Sequence, residues 1–72
     1  MSPTIAEYDV VALMTDLPEH GLVKGQVGTV VMVLSPDWVE VEFVDVDGKT
    51  YALTAIPTRQ LMQLHYHRVQ AA

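Results

Sequence analysis

The sequence predicts an all-β domain of five short strands, and two observations support this prediction. Along most of the chain the apolar residues recur at the two-residue spacing of strands rather than at the 3.6-residue period of helices. Glycine, proline and short polar residues divide these apolar segments, as expected for strands joined by turns. Half of the 72 residues are hydrophobic, so the chain has the apolar surface that folding requires, and its length predicts a single domain, residues 1–72.

The first two predicted strands flank the longest loop. Strand one covers residues 8–13, and Pro18 and Gly21 interrupt the loop that follows it. Strand two covers residues 26–34 and is rich in β-branched side chains, which suit a pleated sheet. Gly25 and Gly28 bracket its start, where glycine permits a close approach of another chain segment or a bend.

Strand three, residues 38–44, has the clearest alternation. A tight turn at residues 35–37, Ser-Pro-Asp, precedes it. Successive side chains of this strand point to opposite sides of the sheet, one side apolar and the other mostly charged, as is typical of a half-buried antiparallel strand. The set predicted to face the core is Val39, Val41 and Phe43, and the opposite set is Trp38, Glu40 and Glu42.

The remaining predicted elements are a hairpin, a fourth strand, a 3₁₀ turn and a last strand. An Asp-Gly pair within residues 45–48 predicts a hairpin into strand four, residues 49–54. Residues 58–60 predict a single 3₁₀ turn before a last strand, residues 61–66, and the chain is expected to be ordered over about 7–66, with frayed termini and a frayed tail from about Arg68. This order predicts a small five-strand SH3-like barrel. A partly open five-strand barrel of the oligonucleotide- and oligosaccharide-binding type is the alternative.

Several segments, which together span about Asp9 to His65, share a pattern with a known family. They are Asp9-Val10-Val11-Ala12-Leu13, Asp16-Leu17-Pro18-Glu19-His20-Gly21-Leu22, Gly25-Gln26-Val27-Gly28-Thr29-Val30-Val31, Val41-Glu42-Phe43-Val44-Asp45 and Asp47-Gly48-Lys49-Thr50-Tyr51-Ala52-Leu53. The chain thereby resembles a family of small bacterial proteins catalogued as a domain of unknown function. The resemblance implies a compact β fold, and gene arrangements of the toxin and antidote kind, but no established chemistry.

Charge and composition disfavour nucleic acids and membranes as partners. The net charge is −5, and the four basic residues are scattered along the chain. Every charge between Lys24 and Lys49 is negative, which would repel phosphate backbones and anionic lipids. Neither a basic signal segment nor an apolar run of about 20 residues is present, so a soluble cytoplasmic protein is expected.

The residue types needed for catalysis are scarce. The chain has no cysteine, its serines do not lie in a strand-to-helix elbow, and no glycine-rich phosphate loop opens a helix. Glu40 and Glu42 share one side of strand three, as the acid and base of a catalytic carboxylate pair would, but exposed strand carboxylates usually serve solubility. Asp45 and Asp47 resemble part of a calcium loop whose remaining ligands are missing. We therefore expect no enzyme activity and no cofactor.

Histidines provide the only candidate metal ligands. His65 and His67 lie two residues apart on the last predicted strand and therefore share a face, with His20 as a conceivable third ligand. No convergent carboxylate or cysteine accompanies them. The prediction is that no metal binds, with His65 and His67 kept as weak candidates.

Two surface features favour binding of another protein. Trp38 lies on the side of strand three opposite the core set, so it is either an exposed interface residue or folded over the barrel end. The strand from Val27 to Leu34 is apolar on both of its sides. Either this strand is shared between both halves of the barrel, or another chain, which could be a second copy, covers its outer side.

The sequence thus predicts a non-enzymatic protein-binding module that docks a basic partner, in an antitoxin-like or immunity-like role. The predicted contact residues form an acidic, tryptophan-bearing face: Trp38, Glu40, Glu42, Asp45 and Asp47. One alternative is a nucleic-acid-associated SH3-like module that uses the loop of residues 15–24. Another is an accessory subunit of a larger enzyme.

Overall fold

A computed structural model describes residues 5–65, which form one five-stranded antiparallel sheet. The strands are β1 (Val10–Leu13), β2 (Val27–Ser35), β3 (Trp38–Val44), β4 (Thr50–Pro57) and β5 (Leu61–Gln63). Two 3₁₀ turns accompany them, η1 (Pro18–His20) in the first loop and η2 (Thr58–Gln60) before β5. The strand order is β4-β3-β2-β1-β5, so within the described residues β4 and β5 are the two edges of an open sheet.

The prediction of five antiparallel strands and a 3₁₀ turn before the last one is confirmed. Three strand bounds differ from the prediction by two residues or more, and the others lie within one residue of it. The first strand begins at Val10, because Tyr8 lies in a turn with a φ of +69°. The fourth strand extends to Pro57, because Ala55 and Ile56 continue the pairing with β3.

The last strand is also shorter than predicted. It ends at Gln63, although the amide of Leu64 still donates to the carbonyl of Val10. The predicted end of this strand at Tyr66, the ligand candidate His67 and the tail from Arg68 lie outside the described residues. None of the helical segments in residues 5–65 has the length and hydropathy needed to cross a bilayer.

The core lies on one side of the sheet, as the alternation of β3 predicts. Val39, Val41 and Phe43 are all 0% exposed. They pack with buried side chains from the other strands and the first loop: Val11, Leu13, Leu22, Val30, Ile56 and Leu61. These core side chains are between 0% and 6% exposed, and burying a large apolar side chain stabilises a fold by about 1.5–3 kcal/mol.

Gly28 lets β2 lie closely against the side chains and backbone of β3 on the core side. A Cβ atom placed on Gly28 would lie 2.6 Å from Cγ1 of Val41 and 2.9 Å from the carbonyl oxygen of Glu42. Neither neighbour is the end of a long flexible side chain. The close approach that the sequence predicts at Gly28 is therefore present, and any larger residue must displace the sheet itself.

The hairpin between β3 and β4 is held by its own polar groups. The Oδ1 atom of Asp45 accepts hydrogen bonds from the backbone N–H of Asp47 at 2.9 Å and of Lys49 at 3.0 Å. Gly48 has a φ of +82°, a conformation that favours glycine, and its N–H donates to the carbonyl of Asp45. The carboxylate of Asp45 thus builds the turn that the Asp-Gly pair predicts.

The first loop is folded against the sheet rather than free. Leu22 is 1% exposed and joins the core, and it pairs with Leu17 in an isolated β-bridge. At the neck of the loop, the backbone N–H of Lys24 donates to Oδ1 of Asp16 at 2.8 Å. These contacts fix the position of η1 relative to the strands.

Candidate protein-binding surface

The side of the sheet opposite the core carries an exposed surface on β2, β3 and β4, here called the outer face. Residues directly opposite each other on paired strands point to the same side of a sheet. Glu40 lies between Met32 on β2 and Ala55 on β4, and Glu42 lies between Thr29 and Leu53. The outer face therefore consists of these six residues together with Trp38 and Val44 at the two ends of β3.

Large apolar side chains on the outer face remain open to solvent. Met32 is 50% exposed, Trp38 43% and Leu53 56%, whereas Glu40 and Glu42 are half-buried among them. Single exposed apolar residues are ordinary, but several of them on one sheet face that also carries carboxylates favour an interaction site. The sequence left two alternatives for Trp38, an exposed interface residue or a side chain folded over the barrel end. The 43% exposure of Trp38 favours the exposed alternative.

Glu42 is held in place by a neighbour on β4. The hydroxyl of Thr50 donates a hydrogen bond to Oε2 of Glu42 at 2.6 Å. A carboxylate has more acceptor sites than one hydroxyl fills, so Glu42 can also accept from a lysine or arginine of a partner. The hydrogen bond from Thr50 therefore leaves acceptor sites of Glu42 available to a cationic group.

The five residues predicted as the partner site do not form one cluster. Trp38, Glu40 and Glu42 lie on the outer face, whereas Asp45 and Asp47 lie in the hairpin beyond its far end. The seven residues of β3 separate its two ends by about 20 Å. Because Asp45 is engaged in the turn, Asp47 is the more accessible carboxylate of that hairpin.

A groove that the sequence does not reveal lies beside Trp38. Its volume is about 380 Å³, and its walls come from the first loop, β4 and η2. The lining residues are Leu17, Glu19, His20, Trp38, Ala55, Pro57, Arg59 and Gln60. Pro57, just before the 3₁₀ turn, and the length of the first loop are the only sequence signals that point to this place.

The apolar strand β2 is shared by the two parts of the sheet. It pairs with β1 over residues 27–29 and with β3 over residues 29–35. Register shifts around Val31 and Leu34 bend its second half. Met32, Val33 and Leu34 are nevertheless all exposed, so sharing explains only the first half of its apolar pattern.

Of the histidine candidates, His20 and His65 are among the described residues, and they belong to different elements of the fold. His20 lines the groove, with Nε2 3.5 Å from the hydroxyl oxygen of Thr54, whereas His65 follows β5. Residues 5–65 contain no group of three or more His, Cys, Asp or Glu side chains arranged to hold a metal ion. No described residues therefore form a metal site around His20 or His65.

The fold and surface define a class, small antiparallel β proteins with an apolar and acidic outer face. A family model described as "Domain of unknown function (DUF4926)" matches residues 7–63. The chain therefore belongs to this family, and the resemblance read from the sequence is confirmed at that level. No curated protein and no solved structure matches the chain.

Proposed function

We propose that this protein is a non-enzymatic SH3-like barrel module that binds a basic protein partner through its outer face. One observation carries the proposal: exposed Met32, Trp38 and Leu53 lie around the half-buried carboxylates of Glu40 and Glu42. Tryptophan and methionine are enriched in interfaces, and carboxylates set within apolar surface select cationic side chains. The long first loop, the two hairpins and the 3₁₀ turn before β5 support the barrel assignment.

A basic partner explains the outer face better than a second copy does. If two copies packed their outer faces together, Glu40 and Glu42 would lie near the same carboxylates of the other copy. Like charges brought together in a partly buried interface cost free energy, and the net charge of −5 adds a repulsion at longer range. Strand β2 pairs with β1 only over residues 27–29, so the edge of its second half is open, and it is the repulsion between carboxylates that disfavours a second copy there.

An antidote role accommodates these features. A basic toxin or nuclease in the bacterial cytoplasm would bind fast to an acidic surface, because opposite charges raise the rate of association. In that case the partner would be produced together with this protein and would lose its activity in the complex. An enzyme that needs this chain as a subunit would instead lose activity without it.

The test is affinity capture from the native host with matched charge variants. Glu40→Lys and Glu7→Lys change the net charge equally, but Glu7 is exposed in the turn before β1 and is not one of the residues of the outer face. We expect Glu40→Lys to lose at least about 90% of a captured basic protein, because a truncated or reversed buried charge pair costs about 2–5 kcal/mol. Glu7→Lys should retain most of that protein.

Thermal melting controls for folding. The stem of a lysine at position 40 can lie along Met32 and place its ammonium in water, so the melting temperature of Glu40→Lys should stay within a few degrees of the parent protein. Equal capture by both variants, or capture of nucleic acid instead of protein, would contradict the proposed function.

A further inference from the structure

The groove beside Trp38 has a fixed shape. One wall is the first loop, which the Leu17–Leu22 bridge holds against the core. The other wall is η2, where the N–H of Thr58 donates to the carbonyl of Asp37 at 2.9 Å. The carbonyl of Gln60 accepts from the N–H of Met14 at 2.8 Å, which ties this wall to the start of the first loop.

The base of the groove is apolar and its rim is open. Pro57 is buried and Leu17 is half-buried, whereas Glu19, Trp38 and Arg59 are exposed. Sites for small molecules usually enclose most of the ligand surface. A groove whose rim is this exposed fits instead a chain that passes across it and places one apolar side chain on Leu17 and Pro57.

One carboxylate and one guanidinium line the groove, and two further carboxylates are placed next to it. Glu19 lines it, Asp37 adjoins it next to Trp38 and η2, and Glu40 lies opposite the lining residue Ala55. Among residues 5–65, Arg59 is the only lysine or arginine that lines it, and His20 lines it as well. This excess of negative charge favours a ligand with a lysine or arginine beside its apolar group.

We propose that this groove binds an extended peptide segment that carries a large apolar residue next to a lysine or arginine. The apolar side chain packs on Leu17, Pro57 and the ring of Trp38, and the cation lies near Glu19 and Asp37. Because the walls are already fixed by hydrogen bonds and core packing, binding does not require the groove to be ordered first. The inference rests on the proposed function in that it makes this segment part of the basic partner.

Selection from a random library of twelve-residue peptides tests the groove directly. The immobilised protein is expected to enrich peptides that combine lysine or arginine with leucine, isoleucine or an aromatic residue. The enriched peptides should change the fluorescence of Trp38, which is the only tryptophan in the chain. Glu19→Lys should weaken their binding at least about fivefold, because it replaces an attractive charge with a repulsive one.

Two control variants locate the bound peptide. Glu7→Lys makes the same charge change outside the groove, and Glu42→Lys makes it on the outer face at a residue that does not line the groove. Both should bind the selected peptides within about twofold of the parent protein if the groove is the site. Peptides without basic residues, or a loss of binding in Glu42→Lys with none in Glu19→Lys, would overturn the groove assignment.

The two proposals can fail separately. If Glu40→Lys loses the captured partner while Glu19→Lys leaves peptide selection unchanged, the outer face remains the partner surface and the groove is not a peptide site. If the selected peptides bind through Glu19 while Glu40→Lys still captures the partner, the groove proposal holds and the outer-face proposal fails.

Discussion

The two faces of β3 show how one strand serves two purposes. On one face Val39, Val41 and Phe43 are inaccessible to water, and on the other Trp38 and Val44 stay nearly half exposed beside half-buried Glu40 and Glu42. The backbone is shared, so the difference lies only in what each face meets. The core face is completed by the rest of the chain, whereas the outer face is left uncovered within residues 5–65.

The largest effect should follow from a change on the core face. Phe43→Ala removes a fully buried ring, and such truncations cost about 3–5 kcal/mol of unfolding free energy. A domain of this size has little stability to spare, so the variant should be largely unfolded at room temperature. Urea titration followed by circular dichroism measures the loss.

Leu53→Ala is the matched control on the outer face. Leu53 is more than half exposed, so its truncation should cost less than about 1 kcal/mol. If the two truncations had similar costs, the distinction between a completed core face and an open outer face would be wrong.

A smaller loss of unfolding free energy is expected at Gly28, where β2 lies close against β3. Gly28→Ala places a methyl group against Val41 and the backbone of Glu42, and overpacking of this kind costs about 1–3 kcal/mol. Gly21→Ala, at a glycine with open space around its Cβ position but a φ of +68°, separates steric overlap from backbone strain. A stabilised Gly28→Ala protein would show that the sheet makes room for the added methyl group next to Val41 without a cost in free energy.

The core face of β3 could be predicted from the sequence because its two-residue alternation allows one orientation only. The hairpin between β3 and β4 could also be predicted, because the Asp-Gly pair selects its turn. The 3₁₀ turn before β5 could be predicted because that segment is too short for an α-helix. In β2 the run from Val30 to Leu34 is apolar at every position. Such a run has no periodicity, so the register shifts around Val31 and Leu34 could not be predicted.

The groove could not be predicted because its residues are distant in the sequence. Leu17, Trp38 and Arg59 line one groove because Leu22 packs into the core and η2 is hydrogen-bonded to Asp37. Nor does the sequence signal the left-handed conformation of Tyr8, since tyrosine rarely adopts it. The alternation of β3 places Trp38 opposite the core side chains, but its neighbours across the groove depend on the tertiary structure.

The most direct test of the outer face compares two methionines by NMR of their methyl groups. Met32 on the outer face and Met62 on β5 are almost equally exposed, at 50% and 52%, but lie on different parts of the sheet. On addition of the captured basic partner, the methyl signal of Met32 should shift or broaden while that of Met62 stays unchanged. A response of Met62 without one of Met32 would contradict a partner surface on the outer face.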